Sequence, residues 1–424
     1  MSVPLRILLV TDSFPPVCGG SGWSTWELAR GLVTRGHHVE VVKAAPGERS
    51  GPSETTHDGI RVTNYEIRAP EVPFVRNLVK NEQLWARLTR YLTRRLGAGS
   101  FDVIHGQHVM TTVPSVRAGL ATGTPSVATV RDYWPVCYWS DLIYDPSQPA
   151  LCPSCSATMM TRCLQPRAGA ATVAAWPMIP YMRANLSRKR KTLALSDAII
   201  AVSSTITRDL EARAPEIAGT SLYTIPNPVD MTALDAIYLS ARRPMPEPYV
   251  LYVGKLAVNK GVQYLLPAVE RAGLDMPVVV VGDGPLRGAL EADARERRID
   301  LRVLGWLPRE DVWAWMRHAL ILAFPSYGPE SLSRVLIEAS ALGTPIAAMN
   351  TGGTPDIVHD RVTGLLSEDA AAFARDLATL ATDERLRATL GHAARIESRA
   401  RFSAASVVER VEQVYRSLLD PRAA

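Results

Sequence analysis

Short apolar runs recur along this chain, each followed by a glycine or proline turn and then by residues spaced for a helix. That order constrains the fold more tightly than any single residue does. A strand, a helix and a second strand in succession make a right-handed crossover and set the two strands parallel. The first such unit is Arg6–Thr11 (RILLVT), the turn SFPPVCGGSG, a helix with apolar residues at Trp23, Trp26, Leu28 and Leu32, and a strand at His38–Val42. Further strand signals fall at residues 60–65, 102–105, 126–130, 198–202 and 223–225, with a helix of arginine-rich outer face at 84–96. After a proline-rich stretch at 226–248, read as a linker, strands resume at 249–253, 278–281, 301–304, 320–324 and 345–348. From Asp369 onward the chain reads as helix. Two doubly wound α/β domains are therefore expected, residues 1–228 and 229–400, with a last helix at 401–424 packing back towards the first. Residues 135–190 break the rhythm and read as an insertion.

A length of 424 residues suits two domains better than one core. The net charge of +5 is too small to argue for nucleic acid, and suits phosphorylated small molecules or an anionic surface. The first ten residues hold too short an apolar run for a secretory signal, and no run reaches the roughly 18 residues of a membrane span. A cytoplasmic protein is expected, at most peripheral on the inner face of the membrane.

Acidic residues and turns concentrate in Phe324–Val358, FPSYGPESLSRVLIEASALGTPIAAMNTGGTPDIV. The spacing places Glu330 at the mouth of a helix and Glu338 two turns further on, with Gly343 ending it. Glu338 follows Val335, Leu336 and Ile337, and a carboxylate there is costly unless it accepts hydrogen bonds. A vicinal diol such as ribose is a natural bidentate partner. Glu330 could hold sugar hydroxyls, or simply favour the positive end of the helix. Lys255 and Lys260 flank the preceding strand–helix turn VGKLAVNKG, and VGDGP at 281–285 forms the next. Lysines beside helix N-termini are what a diphosphate requires; the bland alternative is two solvated charges. The chain contains no Asp-x-Asp, so a metal-bridged diphosphate is not indicated and no catalytic cofactor is expected. In the first half, Gly19, Gly20 and Gly22 lack the GxGxxG spacing of a dinucleotide site. They either make a tight turn or bring backbone to a ligand at the carboxyl end of the strand.

Taken together, GKLAVNKG, VGDGP, PESLSRVLIEASALGTPI, GGTPDIV and TGLL resemble glycosyltransferase family 4, retaining sugar transferases of the GT-B fold. PPVCGGSG with LARGLVTRGHHVEVV is similar to that family's opening, and IPNPVD to its interdomain signature. The resemblance implies two Rossmann-like domains facing across a cleft. It implies transfer from a UDP- or GDP-sugar to a hydroxyl acceptor, lipid-linked or glycan, in cell-envelope polysaccharide or glycolipid synthesis. Donor contacts would come from Gly254, Lys255, Lys260, Gly282, Glu330, Ser331, Leu332, Ser333 and Glu338. Of these, the lysines meet the diphosphate, Glu330 the transferred sugar and Glu338 the ribose. Gly19 and Gly20 would approach the reaction centre from the first domain. Three positions depart from the family pattern. Lys255 stands where arginine is usual, which loses bidentate geometry, and Asp356 where glutamate is commoner. Arg131–Asp132 replaces a histidine–aspartate pair, so Arg131 becomes a catalytic candidate holding a phosphate or carboxylate, with His105 and His108 as stand-ins for the histidine. The same departure motivates a non-catalytic nucleotide-sugar-binding or scaffold protein as a rival, and an epimerase or phosphorylase of the same fold is a third reading.

The insertion carries Cys137, Cys152, Cys155 and Cys163, which could form a structural zinc knot, remain reduced thiols or pair as disulfides. It also carries WPMIPYM followed by the basic run Arg188–Lys191, either a docking face for an anionic membrane or a solvated helix face.

Overall fold

The computed structural model describes residues 3–16, 18–47, 51–69, 79–99, 101–145 and 151–420. They divide into two compact units, each built on one sheet. Residues up to 140, 154–228 and those from 404 make the first; residues 141–153 and 229–403 make the second.

The first sheet contains β1 (Arg6–Thr11), β2 (His38–Gly47), β3 (Gly51–His57), β4 (Ile60–Arg68), β5 (Val103–Gly106), β6 (Ser126–Val130), β7 (Ala198–Ala201) and β8 (Ser221–Thr224). They lie in the order β3-β4-β2-β1-β5-β6-β7-β8. Every pair is parallel except the β3–β4 hairpin. Helices on both faces bury β5, β6 and β7 completely, which is why these strands read as continuous apolar runs. On one face Leu28, Ala29 and Leu32 of the Gly20–Thr34 helix share a core with Val407, Val408, Val411 and Tyr415 of the Ala404–Leu419 helix. On the other, Leu88, Leu92 and Leu96 of the Trp85–Ala98 helix pack on Leu8, Val10 and Ile104. The strand order reverses between β1 and β5.

The second sheet contains β9 (Val250–Val253), β10 (Val278–Val281), β11 (Leu301–Gly305), β12 (Ile321–Phe324), β13 (Ile346–Met349) and β14 (Leu365–Ser367), ordered β11-β10-β9-β12-β13-β14 and wholly parallel. Here the order reverses between β9 and β12. Open α/β sheets bind ligands at the carboxyl ends of strands at such a reversal, so the topology nominates one location in each unit.

Two regions differ from the sequence reading. The stretch read as a linker holds a helix, Met231–Ser240, whose first turn is capped by the Asp230 carboxylate accepting from the Thr232 and Ala233 N–H groups. Among its described residues the insertion forms three α-helices, Ala157–Ala168, Thr172–Ala175 and Met178–Leu193, around a small core of Tyr138, Met160, Leu164, Met182 and Leu186. Its residues 141–153 group instead with the second unit. Among the described residues no helix is long and apolar enough to cross a membrane.

Candidate active site

In the second unit, four loops leave the carboxyl ends of β9, β10, β12 and β13 and lock together through glycines. Gly261 has φ +65°, and a Cβ there would lie 1.8 Å from the Pro325 carbonyl oxygen. Gly282 has φ +135°, and its Cβ would lie 2.0 Å from the Gly254 carbonyl oxygen. Gly352 approaches the Glu330 backbone equally closely, and the Gly353 N–H donates to the Glu330 carbonyl at 2.6 Å. Only glycine permits both the left-handed backbone and these contacts. The result is a fixed bed of backbone beside β9 and β12.

On that bed the Lys260 ammonium donates to Glu330 Oε1 at 2.6 Å, and the Ser326 hydroxyl donates to the same oxygen at 2.7 Å. Glu330 is nearly buried, whereas Lys260 is one-third open to water. Glu330 thus lies in the loop ahead of the Arg334–Ala341 helix, four residues before its first turn. The helix cap is Ser333, whose hydroxyl accepts from the Leu336 N–H; Ser331 and Leu332 lie between cap and carboxylate. Lys255 is exposed on the β9 loop, and Tyr252 anchors its backbone by donating to the Lys255 carbonyl at 3.0 Å. Glu338 is buried within the helix and accepts from Arg334 at 2.9 Å and Arg309 at 3.2 Å. Burial alone would push this carboxyl up, but the two guanidiniums outweigh it and leave it below its ordinary value. The carboxylate is therefore ionised and oriented, with two cations already on it. Arg309 carried no signal in the sequence, because its partner lies 29 positions away in another helix.

In the first unit the reversal between β1 and β5 gathers a second set. His108 bridges two carboxylates, with Nδ1 2.7 Å from Asp12 and Nε2 3.0 Å from Asp132. Burial opposes its charge, yet the carboxylates prevail and push the imidazole up to about 10. Asp12 is correspondingly lowered: burial would raise it, but His108 and, more weakly, Arg131 hold it ionised. Arg131 is buried, donating to the side-chain oxygens of Gln107 and Asn227. His105 lies apart from this set. It is fully buried between the hydroxyls of Tyr415 and Thr129, each 2.6 Å away, and burial lowers it well below its usual value, which makes it a neutral packing group. Of the two histidine stand-ins, the structure puts only His108 beside Asp132. Asp12 was missed in the sequence because a lone aspartate after a strand is indistinguishable from a turn residue.

Gly19 is exposed with nothing near its missing side chain, whereas a Cβ on Gly22 would meet Cys18 at 2.5 Å. The packing need for glycine in this loop is therefore met at Gly22, and Gly19 and Gly20 stand open at the start of the helix. Cys137, Cys152 and Cys163 are buried. Among the described residues no three His, Cys, Asp or Glu side chains gather as a metal-holding set. The basic run is not a continuous outward patch either. Arg188 pairs with Glu82, Arg190 donates to the Pro135 carbonyl at 2.7 Å and Lys189 is buried, so that Lys191 is the most exposed of the four.

Two mainly parallel α/β sheets, each gathering polar side chains where its strand order reverses, are the architecture of a GT-B glycosyltransferase. Sequence models of known families say the same. The model for Glycosyltransferase Family 4 matches residues 18–233, and that for Glycosyl transferases group 1 matches residues 240–397. The chain belongs to glycosyltransferase family 4. It is 28% identical over 405 residues to a D-inositol 3-phosphate glycosyltransferase of Xylanimonas cellulosilytica, covering 90% of this chain and 88% of that one. In fold it is similar to a sucrose-phosphate synthase from Thermosynechococcus elongatus (TM-score 0.69, 20% identity, 98% and 99% of the two chains). It is also similar to an Anabaena protein solved with UDP and glucose (TM-score 0.66, 18% identity, 97% and 100%).

Proposed function

We propose that this glycosyltransferase moves a sugar from a nucleoside diphosphate sugar, a UDP- or GDP-sugar, to a hydroxyl acceptor, with retention of configuration and without a catalytic metal. The observation that carries this reading is the Lys260–Glu330 ion pair on the glycine-fixed loops of β9 and β12. A lysine one-third open to water exchanges ion-pair partners readily. When a diphosphate enters, Lys260 turns to its oxygens and Glu330 is released to accept from a sugar hydroxyl, so donor binding replaces one ion pair by two charge-assisted contacts. Lys260 and Lys255 then stabilise the charge that grows on the leaving diphosphate. Glu338, oriented by Arg334 and Arg309, takes the ribose diol. The backbone of Gly254, Gly282 and Ser331–Ser333 lines the donor, and the acceptor lies on the first unit against Gly19–Gly20, His108 and Asp132. Family membership and the lysines at the β9 turn support the nucleotide-sugar donor, and a neighbour of the same fold was solved with UDP and glucose.

The test is a screen with UDP- and GDP-sugars, reading nucleotide release and the anomeric configuration of the product by NMR. One donor is expected to be turned over without added metal and in the presence of a chelator, giving a product with the donor's configuration. Lys260→Ala and Glu330→Ala should each abolish most of that activity. Turnover with inversion, activity lost to the chelator, or an unimpaired double variant would overturn the corresponding part of the proposal.

A further inference from the structure

We propose that the acceptor carries a phosphate group, and that Lys189 binds it in a cavity of the first unit. The inference rests on the transfer reaction proposed above. The cavity has a volume of about 370 Å³ and is lined by Asp12, His108, Tyr138, Trp139 and Lys189 among others. That volume is in the range of small-molecule sites, roughly 300–1,000 Å³. It opens beside the carboxyl ends of β1 and β5, where the strand order reverses.

Lys189 comes from the Met178–Leu193 helix of the insertion and is only 4% exposed. Among the described residues no carboxylate forms an ion pair with its ammonium and no acceptor hydrogen-bonds to it; its near neighbour is the Tyr138 ring, 5.5 Å from the nitrogen. The carboxylate whose charge it feels, Asp132, is also engaged by His108. A buried cation without a counter-charge is costly, and burial draws Lys189 down to about 8, which still leaves most molecules charged at neutral pH. The indole N–H of Trp139 is likewise buried without an acceptor in the same cavity wall. Lys189 therefore brings a positive charge without an ion-pair partner to this space, beside the buried indole N–H of Trp139. Asp12, the one carboxylate in the wall, is held by His108 and, more weakly, by Arg131, so His108, Arg131 and Lys189 set three positive charges against the two negative charges of Asp12 and Asp132. A phosphate ester supplies a charge of about −1.5 to −2 and three acceptor oxygens, matching that wall. The faces of Tyr138 and Trp139 suit the apolar side of a sugar or polyol ring. A phosphorylated sugar or polyol satisfies both halves of the cavity.

Lys189 is read directly by reductive methylation of the whole protein, followed by peptide mass spectrometry, with Lys191 two positions away as the exposed control. No donor is present, so failure here leaves the transfer assay standing, and an inert enzyme leaves this result standing. Inorganic phosphate and glucose 6-phosphate, raised well above their half-protecting concentrations, are expected to slow methylation of Lys189 by roughly tenfold. Glucose, and sodium chloride at matched ionic strength, are expected to leave it unchanged, and Lys191 to react equally throughout. Lys189→Met should retain its melting temperature and lose phosphate binding in calorimetry, while Lys189→Arg should keep part of it. A parallel arm offers phosphatidylcholine vesicles with and without phosphatidylglycerol; protection by the anionic vesicles alone would assign the phosphate to a lipid headgroup. Equal methylation of Lys189 in phosphate, in anionic vesicles and in chloride overturns the proposal.

Discussion

Lys260 and Glu330 lie 70 positions apart and meet through one oxygen, so each can be removed without touching the other's backbone. Because the lysine side is one-third open, the pair contributes about 1 kcal/mol or less to stability. Its value is in the reaction. Lys260→Ala is expected to lower kcat by about 100- to 1,000-fold, the usual loss when one donor to a developing negative charge is deleted. The melting temperature should scarcely move. Steady-state kinetics beside a thermal melt checks both, and a large fall in stability with modest kinetic loss would count against the assigned role. His108 behaves oppositely, since its two carboxylates are structural partners. Its folded value lies near 10, above the unfolded 6.5, so its contribution is fully present below 6.5 and is lost as pH rises towards 10. Comparing wild type with His108→Gln by denaturant titration should show the largest gap near pH 6 and a shrinking one through that window. A gap that widens with pH would refute the assignment. Lysines and glutamates at strand ends were legible from spacing. What spacing could not show is which charges neutralise one another, because Asp12, His108 and Asp132 come from three separate loops.

Single elements matter here chiefly as loops held by glycine. At Gly261 a methyl group would need space taken by the Pro325 carbonyl, and φ +65° disfavours any side chain besides. Gly261→Ala is therefore expected to cost about 1–3 kcal/mol in strain. It should displace Lys260, the adjacent residue, and lower kcat/KM by about tenfold or more, since misplacement by 1 Å can cost about a hundredfold. Gly19→Ala, with open space around it, is the control, and its melting temperature should stay at the wild-type value; a stable, active Gly261→Ala would show that the loop contact is dispensable. At this scale the sequence was legible wherever an element was long or fully buried. The β3–β4 hairpin escaped although its turn is Asp58–Gly59, both with positive φ, a strong two-residue turn signal. It was lost because a reading tuned to strand–helix alternation does not look for an antiparallel pair. The Val109–Thr122 helix escaped for a different reason. Its stretch Thr111–Val116 is buried all round and includes Pro114, so it shows no one-sided apolar stripe. β14, at three residues, is too short to make a periodic signal.

For the molecule as a whole, the chain's course separates sequence order from structural order. Both sheets were foreseeable from alternation, and a last helix packing back towards the first domain was expected; the grouping of residues 141–153 with the second unit was not, because it depends on surfaces that lie far apart in the sequence. The Ala404–Leu419 helix follows the second unit in sequence and belongs to the first in structure. Val407, Val408, Val411, Val414 and Tyr415 lie in the first unit's core, and Gly31 is packed against the Val408 side chain. Its Glu412 pairs with Arg35 and Arg416 and lies 3.4 Å from His37, contacts that hold the carboxyl down at about 2 against the effect of burial. At about 1.5–3 kcal/mol for each fully buried side chain, these five contribute on the order of 10 kcal/mol. That is comparable with the entire stability of a typical domain, about 5–15 kcal/mol. A chain stopped after Ser403 should therefore lose the first unit's fold while the second keeps its own core of β9, β10, β12 and their helices. Hydrogen exchange read by mass spectrometry tests this segment by segment. The peptides of β1, β5 and β6 are expected to exchange freely in the truncated chain. Those of β9, β10 and β12 should stay protected, and should gain further protection with the nucleotide that the donor screen identifies. Uniform loss of protection in both sets would mean that the second unit cannot stand on its own core, and unchanged protection in β1 would mean that the returning helix is a cover and not part of the first unit's fold.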